Sequence, residues 1–157
     1  MSKQTCRNFL TGAATLALLV GMCAGSGFAA NHHAMNGTWQ LAPQRSEFNG
    51  EPAIQTGTVT INDRERNVSV ERNFNFDGAN QSTSTSFSTD SQEKATIKDK
   101  EQGFKSKAKW DGNVLKVVTI QDGINIVERY SLRDDGVMML QLERTGHQPE
   151  TLFFQRQ

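Results

Sequence analysis

Two charged residues interrupt otherwise apolar alternation in this 157-residue chain, and any chemistry of the molecule would start from them. In the run 67–76, Val68, Val70, Phe74 and Phe76 recur at every second position, and Arg72 shares their parity. In 124–132, Ile124, Ile126, Tyr130 and Leu132 do the same, with Glu128 among them. A charge on an inward face is costly unless it is paired, so such residues are paired, lie at a rim or serve a function. The functional reading is an internal guanidinium that grips a ligand carboxylate in bidentate fashion. Arg72, Glu128, Tyr130, Trp110 and Phe74 are then the expected ligand-binding set. The plainer reading places both charges near an open end, or has a bulge shift the parity.

His32 and His33 offer a second chemistry. If a leader is removed after Ala29, His32 becomes the third residue; if it is removed after Ala30, His33 does. A free amine, two backbone amides and a third-position imidazole form a square plane suited to Cu(II) or Ni(II). The alternative is an idle, flexible leader. His147 lies in a Gly-rich turn with no evident partner. No Ser-His-Asp ordering, Gly-rich phosphate loop or paired-carboxylate pattern stands out, and two of the three histidines sit in the leader. Little is left for general-base work, which argues against an enzyme, and no cofactor is implied.

The leader has its own signature. Lys3 and Arg7 form a basic start, Phe9 onwards is apolar, and the stretch ends in small residues around Gly27, Ala29 and Ala30. That order reads as a secretory signal over residues 1–29, with cleavage after Ala29 or Ala30. Cleavage after Ala29 puts small residues at both recognition positions, whereas cleavage after Ala30 puts bulky Phe28 at one of them. The apolar run is too short and too broken by glycine for a comfortable membrane span of about 20 residues. Thr5-Cys6-Arg7-Asn8-Phe9-Leu10 is close to a twin-arginine signal but lacks one arginine, so the general route is preferred. Cys23 follows Met22, which does not suit lipid attachment. The expected location is secreted or periplasmic, with no stable membrane insertion after cleavage.

Both cysteines, Cys6 and Cys23, fall inside the signal, so the mature chain has no disulfide and depends on its core. Removing Lys3 and Arg7 from seventeen Lys and Arg leaves fifteen against seventeen Asp and Glu. Charges of both signs are interspersed, and no net field draws nucleic acid or an anionic membrane. The size suits one domain, residues 37–157, after a flexible leader over 30–36. Its runs alternate with period two and are separated by turn signals. They predict strands at 37–42, 54–62, 67–76, 81–89, 94–99, 103–110, 114–121, 124–132, 137–144 and 150–156. Asp77-Gly78, Asp111-Gly112, Asp122-Gly123 and Asp135-Gly136 are hairpin signals, which makes a meander the economical topology. Phe104, Ala108 and Trp110 are expected to face inwards, opposite Lys105, Lys107 and Lys109 on a solvated outer face. The strand 114–121 is apolar on both sides, so a cover over its outer face is expected. The hydroxyl-rich run 81–89 suggests an edge or a mouth, with a carbohydrate-like surface as the minority reading. Closure into a barrel of about eight to ten strands best removes the sheet edges.

Gly37-Thr38-Trp39-Gln40-Leu41 resembles the opening strand of lipocalins and of intracellular fatty-acid-binding proteins, where the tryptophan plugs the closed end. The longer string Gly37 to Phe48, with the ending Tyr130-Ser131-Leu132, Asp135-Gly136 and Arg156-Gln157, resembles a family of short secreted bacterial proteins of unknown function. Fatty-acid-binding proteins carry a two-helix lid after their first strand and an Arg-x-Tyr near the C-terminus; this chain has about a dozen residues with Pro43, Gly50 and Pro52 in place of the lid, and no such Arg-x-Tyr. The resemblance therefore implies an all-β, antiparallel, up-and-down, lipocalin-like barrel more than a fatty-acid specificity. The function expected from it is binding of a small apolar or amphipathic molecule in the interior. The alternative is a filled barrel acting as a protein-interaction module, for example a secreted inhibitor. The sequence does not give the oligomeric state.

Expressed with its leader in a bacterium, the protein is expected outside the cytoplasm, beginning at Ala30 or Asn31. N-terminal sequencing that finds Met1 still attached would overturn export.

Overall fold

The period-two runs become ten strands in one antiparallel sheet. The computed structural model describes residues 32–64, 67–88, 95–97 and 105–157; the expected signal peptide and Phe104 lie outside the described residues. The strands are β1 (Gly37–Leu41), β2 (Thr56–Arg64), β3 (Asn67–Phe76), β4 (Ala79–Ser88) and β5 (Ala95–Ile97), then β6 (Lys105–Asp111), β7 (Val114–Gln121), β8 (Ile124–Leu132), β9 (Met138–Arg144) and β10 (Glu150–Arg156). Their order across the sheet is β5-β4-β3-β2-β1-β10-β9-β8-β7-β6. Every neighbour is thus consecutive in the chain except β1 and β10, whose pairing (Trp39 opposite Arg156, Leu41 opposite Phe154) joins the two halves of the meander. β5 approaches β6 without a ladder between them, so the sheet is a nearly closed up-and-down barrel.

The turns follow from backbone chemistry. At Asp77-Gly78 and Asp122-Gly123 both residues have positive φ (48° and 85°, 50° and 80°), the conformation of the tight hairpin that matches strand twist. Gly57 serves a different need. It stands opposite Phe74, and a Cβ there would come within 2.6 Å of the Phe74 ring. A bare backbone lets that ring lie across β2.

Alternation sorts the two faces as expected. Val59 and Ile61, Val68 and Val70, Leu115 and Val117, and Met138 and Leu140 are buried, while Lys105, Lys107 and Lys109 are exposed. The expected cover over the outer face of β7 is not found among the described residues: Val114 and Val118 are only half-buried beside cross-strand neighbours, and Ile120 is 51% exposed. β7 is apolar outside because Val118 meets Val127 across the ladder, not because a further layer packs on it.

One end of the barrel is solid. Trp39, Tyr130, Phe154, Met138, Leu140 and Leu152 are all fully buried there. The segment expected as a flexible leader is part of this end: His32–Met35 forms a 3-10 turn, with Met35 buried. Side-chain bonds, one local and the others from distant residues, hold the turn. The Trp39 indole N–H donates to the Met35 carbonyl at 2.9 Å. The Arg156 guanidinium donates to the carbonyls of Asn36 (2.7 Å) and Ala34 (2.5 Å) while lying 4.4 Å from the Trp39 ring centroid. Asn36 accepts from the Asp63 N–H at 2.6 Å and donates to its carbonyl at 3.1 Å.

Truncation of Trp39 to Ala removes a fully buried indole together with its bond to the turn, and is expected to cost about 3–5 kcal/mol. A denaturation midpoint unchanged by Trp39→Ala would show that the closed end does not depend on this residue.

Candidate ligand-binding site

Along β3 the inward positions change from Val68 and Val70 to Arg72, Phe74 and Phe76; along β8, read backwards, they change from Tyr130 to Glu128 and Ile126. The filling stops where the charges begin. Beyond them lies a cavity of about 640 Å³, open to solvent at the end of the barrel opposite the 3-10 turn. Its apolar lining includes Phe74, Phe76, Ile126 and Leu142, and its polar lining includes Thr83, Thr119, Arg72, Glu128 and Arg144. Ten strands enclose more room than the eight whose interior side chains just fill, and the cavity is room that the side chains of this chain leave unfilled.

Arg72 and Glu128 form the floor. β3 and β8 are not neighbours in the sheet, so the ion pair between Arg72 Nη1 and Glu128 Oε1 crosses the lumen from wall to wall. Glu128 is 2% exposed, and the Arg72 side chain 16%. The Tyr130 hydroxyl, two residues along the same face, donates to Glu128 Oε1 at 3.2 Å. Burial pushes the Tyr130 phenol above its ordinary range, with Arg72 pulling more weakly the other way, so the hydroxyl keeps its proton. Arg72 is therefore not an unpaired anchor. Its Nε–H, however, is buried without an acceptor among the described residues.

A second arginine, which the sequence reading passed over, lines the same cavity. Arg144 donates to Glu51 at 3.3 Å and bonds Glu150, and its Nε–H is likewise buried without an acceptor. The signal was available, because 138, 140, 142 and 144 share one parity. Burial raises the Glu150 carboxyl above the usual range against the pull of Arg144. His147 closes the cluster at the rim, with Nδ1 3.1 Å from Glu51.

Of the five residues expected to bind ligand, Arg72, Glu128 and Phe74 line the cavity. Tyr130 lies beneath the floor, in contact with Glu128. Trp110 does not belong to the site. It sits at the other end of the barrel, opposite Leu115, because β6 runs its C-terminal end towards the closed end, and there the His32 imidazole stacks on it at 4.0 Å. The hydroxyl-rich run does form part of the mouth: Gln81, Thr83 and Thr85 line the cavity, and positions 79–84 are exposed. His32 stacks on Trp110 whereas His33 lies beside Asp63, and no group of three or more His, Cys, Asp or Glu that could hold a metal occurs among the described residues. No helix among them is long and apolar enough to cross a membrane.

No protein-family model matches the sequence, and no curated protein does. Solved structures do resemble the fold. The fluorescent protein UnaG superimposes with a TM-score of 0.61 at 19% identity, over 80% of this chain and 98% of that one. A secretory abundant heat soluble protein of Ramazzottius varieornatus gives 0.60 at 14% identity, over 79% and 96%. Fatty-acid-binding protein 1 of Echinococcus granulosus gives 0.57 at 10% identity, over 79% and 98%. The architecture expected from the Gly37-Thr38-Trp39 opening, an antiparallel, up-and-down, lipocalin-like barrel, is the one this chain adopts.

Proposed function

We propose that the mature chain is an exported, non-catalytic carrier that binds a small amphipathic molecule in the open half of its barrel. The observation that carries this reading is the incompletely filled interior: a cavity of about 640 Å³ with an aromatic and aliphatic wall and two arginines at its floor and rim. A volume of that order falls within the usual range for small-molecule sites, which are mostly apolar with a few placed polar groups. The unaccepted Nε–H groups of Arg72 and Arg144 are donors that acceptor oxygens on a ligand would satisfy. Phe74, Phe76 and Leu142 would take its apolar body. The likeness in fold to fatty-acid-binding protein 1 of Echinococcus granulosus supports a cargo of this kind. The filled-barrel alternative, an interaction module, fits only the closed half.

The site predicts an unequal response to its two charges. Arg72→Gln leaves Glu128 buried and uncompensated beside the cavity, so an anionic fatty-acid probe should bind about tenfold more weakly or worse, while an uncharged probe of equal length changes little. Glu128→Gln releases Arg72 from its partner and should tighten the anionic probe. Breaking a buried pair from one side costs about 3–5 kcal/mol, so both single variants should melt earlier. The double variant should regain stability without regaining affinity. Fluorescence titration with both probes, with a melting curve for each variant, checks all of this. If no apolar probe binds the intact protein, the carrier reading fails and the interaction module replaces it.

A further inference from the structure

We propose that the outer wall of the barrel over β1, β2, β3 and β4 carries a binding site for a neutral oligosaccharide, built on Gln40, Thr58, Asn73, Asn80 and Ser82. The inference is independent of the carrier reading, because these side chains face away from the lumen. The ladder brings outward positions of neighbouring strands into line. Gln40 stands opposite Thr58, Thr58 opposite Asn73, and Asn73 opposite Ser82, so one row crosses four strands. Two residues nearer the mouth, Thr56, Asn75 and Asn80 make a second row. Together the rows line a depression of about 480 Å³, a volume within the usual range for small-molecule sites.

The lining differs from an ordinary solvated face. None of its residues is charged, although Lys, Arg, Asp and Glu make up 22% of the chain. Glu71 on β3 and Asp77 at the β3–β4 turn flank it, both exposed, and would repel an anion. Hydrogen bonds within the wall fix how the amides point. Gln40 Nε2 donates to the Gly57 carbonyl at 3.0 Å, and its Oε1 accepts from Gln157 at 2.9 Å. Asn73 Oδ1 accepts from the Ser82 hydroxyl at 2.6 Å. Asn75 donates to Asn80 Oδ1 at 2.7 Å and accepts from the Gly78 N–H at 3.1 Å. The amide oxygens of Asn73 and Asn80 are thus engaged. Their NH₂ groups, and the hydroxyls of Thr56 and Thr58, have no partner among the described residues. Donors held in place beside hydroxyls that both donate and accept suit a ligand that is itself a set of hydroxyls.

Phe74 supplies the apolar part. Gly57 has no Cβ, and the Phe74 ring lies against its backbone, where a Cβ would come within 2.6 Å of it. The ring consequently lines this depression as well as the lumen. A sugar ring carries C–H groups on its faces and hydroxyls round its rim. An aromatic floor with amides and hydroxyls beside it matches both.

The test is a nuclear magnetic resonance titration of the isotope-labelled protein with maltotetraose, cellotetraose and xylotetraose. At least one of them should bind at millimolar concentration or below and shift the side-chain amide signals of Gln40, Asn73 and Asn80. Asn73→Ala, Asn80→Ala and Thr58→Val should each weaken that binding about tenfold, the effect of one hydrogen bond left unmade. Thr58→Val keeps the shape of the side chain, and a melting curve for each variant separates lost binding from lost folding. Asn62→Ala, an exposed position on the outer face of β2 beyond the depression, should change nothing. A tetramer of galacturonic acid should bind more weakly than the neutral sugars, since Glu71 and Asp77 oppose its charge. The proposal is overturned if none of the neutral tetramers binds, if the acidic one binds better, if the three variants bind as the native protein does, or if the shifts fall on Thr119 and Ile126 in the lumen. Thermal hysteresis of freezing without sugar binding would overturn it in favour of an ice-binding face.

Discussion

Strand β1 is paired on both sides, to β2 along one edge and to β10 along the other, and the rest of the molecule depends on that double pairing. A meander without disulfides ends in two unpaired edges, each a row of open backbone donors and acceptors. Here the last strand returns beside the first, and side chains secure the join. Arg156 stands opposite Trp39 in the ladder, covers the indole and reaches back to the carbonyls of Ala34 and Asn36. Gly37, with φ of 126°, is where β1 leaves the turn; a Cβ there would meet the Arg156 guanidinium at 3.0 Å. One short strand thus joins the two halves of the nearly closed barrel, seats the tryptophan that fills its end and anchors the turn that carries His32.

Closure in turn divides the interior. The residues packed around Trp39 come from the near ends of β2, β3, β7, β8, β9 and β10, and there alternation supplies Val, Ile, Leu, Met and Tyr. Farther along the same strands the inward positions hold Arg72, Glu128, Thr119, Leu142 and Arg144, and the volume is no longer filled. The division is a matter of which side chains occupy equivalent positions, since the strands themselves run through both halves without interruption.

Much of this could be read from period two alone. Strands 67–76, 114–121, 124–132 and 150–156 have the expected bounds, and the parity of Arg72 and Glu128 placed both inside. Their pairing could not be read, because it joins residues 56 apart in sequence on strands that are not neighbours. Hairpin turns fix register along a sheet, but nothing local fixes which positions meet across a lumen. The same reason explains Trp110: parity put it inside, whereas only the direction of β6 within the closed barrel decides at which end. The ordered 3-10 turn was missed for a related cause. His32 through Asn36 is short and polar, and its bonds go to Gly112, Asp63 and Arg156, partners that no window of sequence contains.

The pair across the lumen raises a question of economy that bears on function. Replacing a buried ion pair by apolar side chains of similar volume is often neutral or stabilising. In the closed half of this barrel the same need is met by Leu, Met and Val, so the fold is able to fill a cross-section without charge. Arg72, Glu128 and Tyr130 therefore contribute something other than packing at this level. They span the barrel at one height, hold β3 and β8 at a fixed separation, and present a polar floor to a cavity walled by Phe74, Phe76 and Leu142. A polar floor beneath an apolar wall orients an amphipathic molecule, whereas an apolar floor would bind either end of it alike. The cost of the buried charges is intelligible if orientation of a bound molecule is what the open half is built to provide.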